Sequence, residues 1–129
     1  MSGIAVFDYG AGNLRSVMNT LEAIGAKFTL VDDAAGLTSA DKIILPGVGH
    51  FGQLLRSLDA MRVRSTLLTC ISGGTPFLGI CLGLQALFEE SEEAPDVKGL
   101  GIFEGKVKRF PEDARVPHMG WNELDVKAG

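Results

Sequence analysis

The sequence predicts an α/β protein: a three-layer fold with a mostly parallel sheet and helices on both faces. Three observations carry that prediction. Short apolar runs alternate with stretches whose apolar residues recur at helical spacing. The 17 glycines stand mostly singly, just after the apolar runs, where strand-to-helix turns need them. The chain has 129 residues, 46% hydrophobic and 22% charged, which suits one domain over residues 1–129 with a core of its own.

The elements follow in order. Residues 4–7, Ile-Ala-Val-Phe, read as a buried strand running into the turn Asp8-Tyr9-Gly10-Ala11-Gly12. Asn13 is placed to cap a helix carrying Leu14, Val17, Met18, Leu21 and Ile24, which Gly25 closes. Residues 27–31 and 42–45 read as the second and third strands, the latter stopped by Pro46 and Gly47. Leu54, Leu55, Leu58 and Met61 give the next helical face, with more helix through Leu67, Leu68 and Ile71. Residues 76–80 read as a fourth strand and 81–90 as a helix packed against it. Strands at 100–103 and 106–110, around Glu104-Gly105, suggest a hairpin, and 122–126 reads as a last strand.

Composition narrows the functional classes. Twelve Lys and Arg against sixteen Asp and Glu give a formal charge of −4, the wrong sign for a domain that must neutralise phosphates. No apolar run approaches a membrane span of roughly 18 residues, and the N-terminus lacks the charge and length of a signal peptide. Two cysteines make no disulfide framework, and no His/Cys cluster has metal-ligand spacing. The expectation is a cytoplasmic protein that binds neither nucleic acid nor membrane and holds no metal.

The segment with the most chemistry is Gly79-Ile80-Cys81-Leu82-Gly83-Leu84-Gln85. A cysteine at a strand-to-helix junction between small neighbours resembles a nucleophile elbow, with its side chain exposed at a sharp turn. The helix dipole there favours thiolate, and the Leu82 N–H at the first turn can face an oxyanion. The other reading of Cys81 is a small buried apolar residue. Cys70, inside Leu67-Leu68-Thr69-Cys70-Ile71, reads as core packing. Pro46-Gly47-Val48-Gly49-His50-Phe51-Gly52 follows a strand and offers either backbone N–H donors or a tight turn. The run Glu89-Glu90-Ser91-Glu92-Glu93 reads as solvated charge after a helix end, or as a partner for a substrate ammonium. His50 and His118 are the two histidines, either of which could in principle serve a cysteine as base.

Taken together, Asp8 to Ser16, Pro46 to Gly49, Gly79 to Gln85 and Pro117-His118-Met119-Gly120-Trp121-Asn122 resemble the glutaminase subunits of imidazole glycerol phosphate synthases. These are class I, triad-type glutamine amidotransferases of histidine biosynthesis, with a flavodoxin-like sheet. The resemblance covers essentially the whole chain and implies roles. Cys81 would attack the carboxamide of glutamine, form a glutamyl thioester and release ammonia. Leu82 N–H and a backbone N–H of Val48 or Gly49 would form the oxyanion hole, one such donor being worth roughly 3 kcal/mol. Gly47, Gln85 and Glu93 would hold glutamine, Glu93 near its α-amino group. Asn13, Arg15, Met119 and Trp121 match the face that meets a cyclase subunit, a (β/α)8 barrel, in a heterodimer that channels ammonia. Trp121 is the only tryptophan, a residue type favoured as an interface anchor; its other reading is core packing. No cofactor is implied.

The sequence also departs from the family. The triad His and Glu lie in a later His-Pro-Glu segment that these 129 residues do not contain, and neither His50 nor His118 aligns with the base. The expectation is the N-terminal part of a single glutaminase domain, with an incomplete fold, a sheet edge and apolar helix faces uncovered, and little activity alone. Loss of a triad base costs several orders of magnitude in rate. Two alternatives are a non-catalytic partner-binding protein of the same fold and a cysteine hydrolase using His50 or His118.

Overall fold

A computed structural model describes residues 3–11 and 13–129. Met1, Ser2 and Gly12, which belong to the N-terminal reading and to the first turn, lie outside the described residues. Four parallel strands form the central sheet in the order β2-β1-β3-β4: β1 (Ile4–Phe7), β2 (Phe28–Val31), β3 (Lys42–Gly47) and β4 (Phe77–Cys81). Strands buried on both faces are continuous apolar runs, which is why four-residue stretches of β-branched and aromatic residues were legible as strands.

Side-chain alternation divides the core in two. Ala5, Phe7, Ile43 and Leu45 point to the face covered by α2 (Ala34–Thr38), α3 (Phe51–Ala60) and α4 (Arg64–Ser72). On α3, Phe51, Leu54, Leu55 and Leu58 repeat at i, i+3, i+4 and i+7 and are fully buried. Burial of each such side chain contributes about 1.5–3 kcal/mol. Val6 and Ile44 point to the opposite face, where α1 (Leu14–Ala23) packs through Leu21, Leu14 and Val17. Asn13 caps α1 by accepting from the Ser16 N–H at 3.4 Å, and Gly25 N–H closes the helix on the Glu22 carbonyl. On this second face Leu78 of edge strand β4 is 54% exposed, beside an apolar groove that Ile4, Ile44 and Pro76 also line.

The structure corrects several readings. Pro46 and Gly47 do not stop β3: both pair with β4, at Ile80 and Cys81. A short helix, α2, lies between β2 and β3, where the sequence pattern predicts none; Asp33 caps it by accepting from Gly36 N–H at 2.8 Å. The helix expected over 81–90 is only α5 (Leu82–Gln85), and the chain returns as strand β5 (Phe88–Ser91). The hairpin is absent. One strand, β6 (Phe103–Val107), runs through Glu104-Gly105 and pairs parallel to β5. Residues 92–102 make the crossover by burying Ala94 and Leu100 in the main core, so β6 re-enters in the direction of β5. Gly105 sits at φ 110 within the strand and donates to the Glu89 carboxylate at 3.0 Å, so the glycine marks an irregularity rather than a turn. The last strand expected over 122–126 has no regular structure.

Candidate active site

Cys81 ends β4 and begins α5 in one residue, with φ 55 and ψ −113. Among the described residues only Arg62 shares a positive φ without being glycine. Such a conformation costs about 1–3 kcal/mol and persists where surrounding packing enforces it. Here two glycines enforce it. A Cβ on Gly83 would overlap the Leu45 carbonyl oxygen, and one on Gly79 would meet the Gly83 carbonyl. Only bare backbone lets α5 turn this tightly against β3 and β4. The Cys81 thiol is consequently exposed, not a small core residue. Since α5 has four residues, the elbow depends on this backbone turn more than on a helix dipole.

The glycine-rich segment stands beside the elbow. Gly47 pairs with Cys81 as the last rung of β3 and β4, and a Cβ on Gly47 would stand 3.0 Å from both Gly83 N and Leu82 Cβ. Val48 and Leu82, each one residue further, therefore leave the same end of the sheet. Gly49 has φ 98, the left-handed region that glycine enters without a Cβ clash. Strand order reverses between β1 and β3, and ligands in open α/β sheets settle in the crevice outside the strand ends at such points.

Tyr9 spans that crevice. Its hydroxyl donates to the Val48 carbonyl and accepts from the Val48 N–H, both at 3.1 Å. Tyr9 is only 7% exposed. Burial pushes the Tyr9 phenol above its ordinary pKa; the bond to Val48 pulls it back, and the charge of nearby Cys81 pushes it up further. Sequence reasoning does not single out Tyr9. The signal available was its place just after the central strand, two residues beyond Phe7.

Gln85 and Glu93 line one open cleft of about 490 Å³, together with Ser91, Lys108 and Arg109. Cys81, Val48 and Gly49 are not in its lining; Gln85 connects the two groups from one turn further along α5. Glu93 has a second engagement: its carboxylate accepts from the Phe51 N–H at the start of α3. His50 caps the same helix, its Nδ1 accepting from Gly52 N–H at 3.1 Å. The glycine-rich loop is thus held by Tyr9 near its beginning and by Glu93 and His50 at its end. His118 stacks edge-on to Phe110 at 6.0 Å in the irregular C-terminal segment. Cys70 is half-buried against the core, its thiol donating to the Leu37 carbonyl at 3.8 Å.

Asn13 and Arg15 are exposed at the start of α1. Met119 is 81% and Trp121 103% exposed, so Trp121 packs against no core. Among the described residues no three His, Cys, Asp or Glu side chains gather to hold a metal ion. Nor, among them, is any helix long and apolar enough to cross a membrane.

Three comparisons bear on this geometry. The family model for glutamine amidotransferase class-I matches residues 5–127. The chain is similar to imidazole glycerol phosphate synthase subunit HisH of Methanothermobacter thermautotrophicus, with 51% identity over 95% of this chain and 61% of the relative. The same subunit of Thermus thermophilus is 47% identical over 93% of this chain and 60% of the relative. The chain therefore spans about three-fifths of the length of the curated relatives it matches. In fold it is similar to the crystal structure of a glutamine amidotransferase, with a TM-score of 0.74 at 21% identity, covering 88% of this chain and 60% of that one. A putative peptidase E protein from Listeria monocytogenes superposes with a TM-score of 0.58 at 19% identity, covering 67% of this chain and 50% of that one.

Proposed function

The chain belongs to the class-I glutamine amidotransferase family, and from that premise we propose that it supplies the nucleophile and oxyanion side of a glutaminase. The substrate is glutamine and the product ammonia. The partner that consumes the ammonia is a cyclase subunit, a (β/α)8 barrel, in imidazole glycerol phosphate synthesis. The observation that carries this reading is Cys81: an exposed thiol held at φ 55 by two glycines where a Cβ would clash with backbone.

The thiolate of Cys81 adds to the glutamine carboxamide carbon, and its oxygen takes the negative charge. Leu82 N–H and one N–H of the Val48–Gly49 segment are the donors for that oxygen, on a backbone fixed before the reaction begins. Collapse expels ammonia, once a proton reaches the nitrogen, and leaves a glutamyl thioester; water then releases glutamate. Gly47 gives the substrate backbone-close access, Gln85 lines its path, and Glu93 faces its ammonium. The proton carriers in this reading are the family's triad His and Glu, with which neither His50 nor His118 aligns. Asn13, Arg15, Met119 and Trp121 form the face for the barrel.

The test is ammonia release from glutamine, with and without the cyclase, by the chain joined to the family's His-Pro-Glu segment and by Cys81→Ala in the same protein. Release by the joined chain and loss of all release in Cys81→Ala, with cyclase binding retained, are the expected results. Release that survives the substitution would overturn the assignment. The non-catalytic alternative draws on the exposed Met119 and Trp121 and predicts cyclase binding with no turnover under any condition. A cysteine hydrolase using its own histidine predicts turnover that His50→Ala or His118→Ala removes.

A further inference from the structure

We propose that Tyr9 is a positioning residue of the oxyanion segment: its hydroxyl holds the Val48 N–H and competes for it with the substrate's oxygen. This rests on the reading of Cys81 as a nucleophile toward glutamine. The Val48 N–H is half-buried and its recorded partner is the Tyr9 hydroxyl. The Tyr9 oxygen accepts it at 3.1 Å while the O–H donates to the carbonyl of the same residue at 3.1 Å. One phenol thus fixes the peptide groups on both sides of Val48 and sets which way they face. An N–H so engaged is not aimed at a second acceptor with full strength.

The clasp is also well placed to matter. Tyr9 follows β1 and Val48 follows β3, so the bond crosses the crevice where the strand order reverses. Cys81 ends the neighbouring strand, and its charge is felt at the phenol. The ring is held by the core and cannot swing aside freely. Completing the donor pair with Val48 therefore requires this bond to break. The competing arrangement, in which Gly49 supplies the second donor, leaves Tyr9 with no effect on the reaction.

The experiment compares two reagents on the full chain and on Tyr9→Phe, which keeps the ring and removes only the oxygen. A chloromethyl ketone analogue of glutamine reacts through addition of the thiolate to its ketone, which builds an alkoxide in the oxyanion position. Sulfur then moves to the methylene as chloride leaves: its bond to the carbonyl carbon breaks, the alkoxide returns to the ketone, and the thiol proton has gone to solvent. Iodoacetamide reacts by direct displacement of iodide and builds no alkoxide. Intact mass reads both rates at Cys81. Releasing one ordinary hydrogen bond should raise the ratio of chloroketone to iodoacetamide rate about fivefold in Tyr9→Phe. A change in packing alone would move both rates together. An unchanged or lowered ratio overturns the proposal. Amide exchange of Val48, followed by NMR, is the second measurement: it should be slow in the unmodified chain and faster in Tyr9→Phe. Equal exchange in the two overturns the proposal without reference to any substrate. Failure of the chloroketone to label either protein, with normal iodoacetamide labelling, would instead refute the glutamine reading.

Discussion

Gly83 shows how completely one residue's chemistry can be dictated by backbone. Its Cα faces the Leu45 carbonyl with no room for a methyl group. Gly83→Ala should therefore lower stability by about 3 kcal/mol or more, the upper end for overpacking, with much smaller loss at the open Gly120; urea denaturation followed by circular dichroism measures both. This part of the site was legible in the sequence because small residues flanking a cysteine at a strand end mark a turn too tight for side chains. Tyr9 was not legible. Its partner lies 39 residues away, and only the parallel pairing of β1 and β3 brings them together. Its buried phenol also has a consequence for pH. The folded pKa is raised, so the folded chain keeps its proton where the unfolded chain loses it. The stability gained is fully present below about pH 10 and is lost as pH rises through the raised value. Denaturation midpoints between about pH 9 and pH 11.5 should fall more steeply for the parent chain than for Tyr9→Phe.

At the scale of elements, α3 depends on partners brought by different parts of the chain. His50 gives a local cap, and Glu93 brings an acceptor from beyond β5. His50→Ala should cost about 1 kcal/mol, and His50→Asn should recover most of it, since asparagine is a favoured cap. Thermal denaturation decides this, and recovery by asparagine of any lost turnover would exclude His50 as a base. The four central strands, α1 and α3 were visible in the sequence because each obeys one period of hydrophobicity. Residues 81–107 were misread for a physical reason. Parallel pairing of β5 with β6 joins segments about 15 residues apart and leaves no local turn to announce it. The glutamates at 89 and 90, good helix formers in isolation, are overridden by the tilted Phe88–Phe103 contact at 5.7 Å and by the buried crossover.

For the whole molecule, the sheet order places β1 and β3 at the centre, and the turns that follow them at the one crevice the topology provides. Cys81, Leu82, Val48 and Gly49 are attached at that end, while Met119 and Trp121 stand in the irregular segment after β6. The placement of Trp121 has an optical consequence. It is the only tryptophan, and it is wholly in solvent. Its emission is already that of an indole in water, so cooperative unfolding of the core should scarcely move the fluorescence maximum. Docking of the proposed cyclase over residues 117–122 should shift the maximum to the blue, and a titration that leaves it unmoved would place the contact elsewhere. The same residue is thus nearly blind to whether the protein is folded and sensitive to whether it is bound.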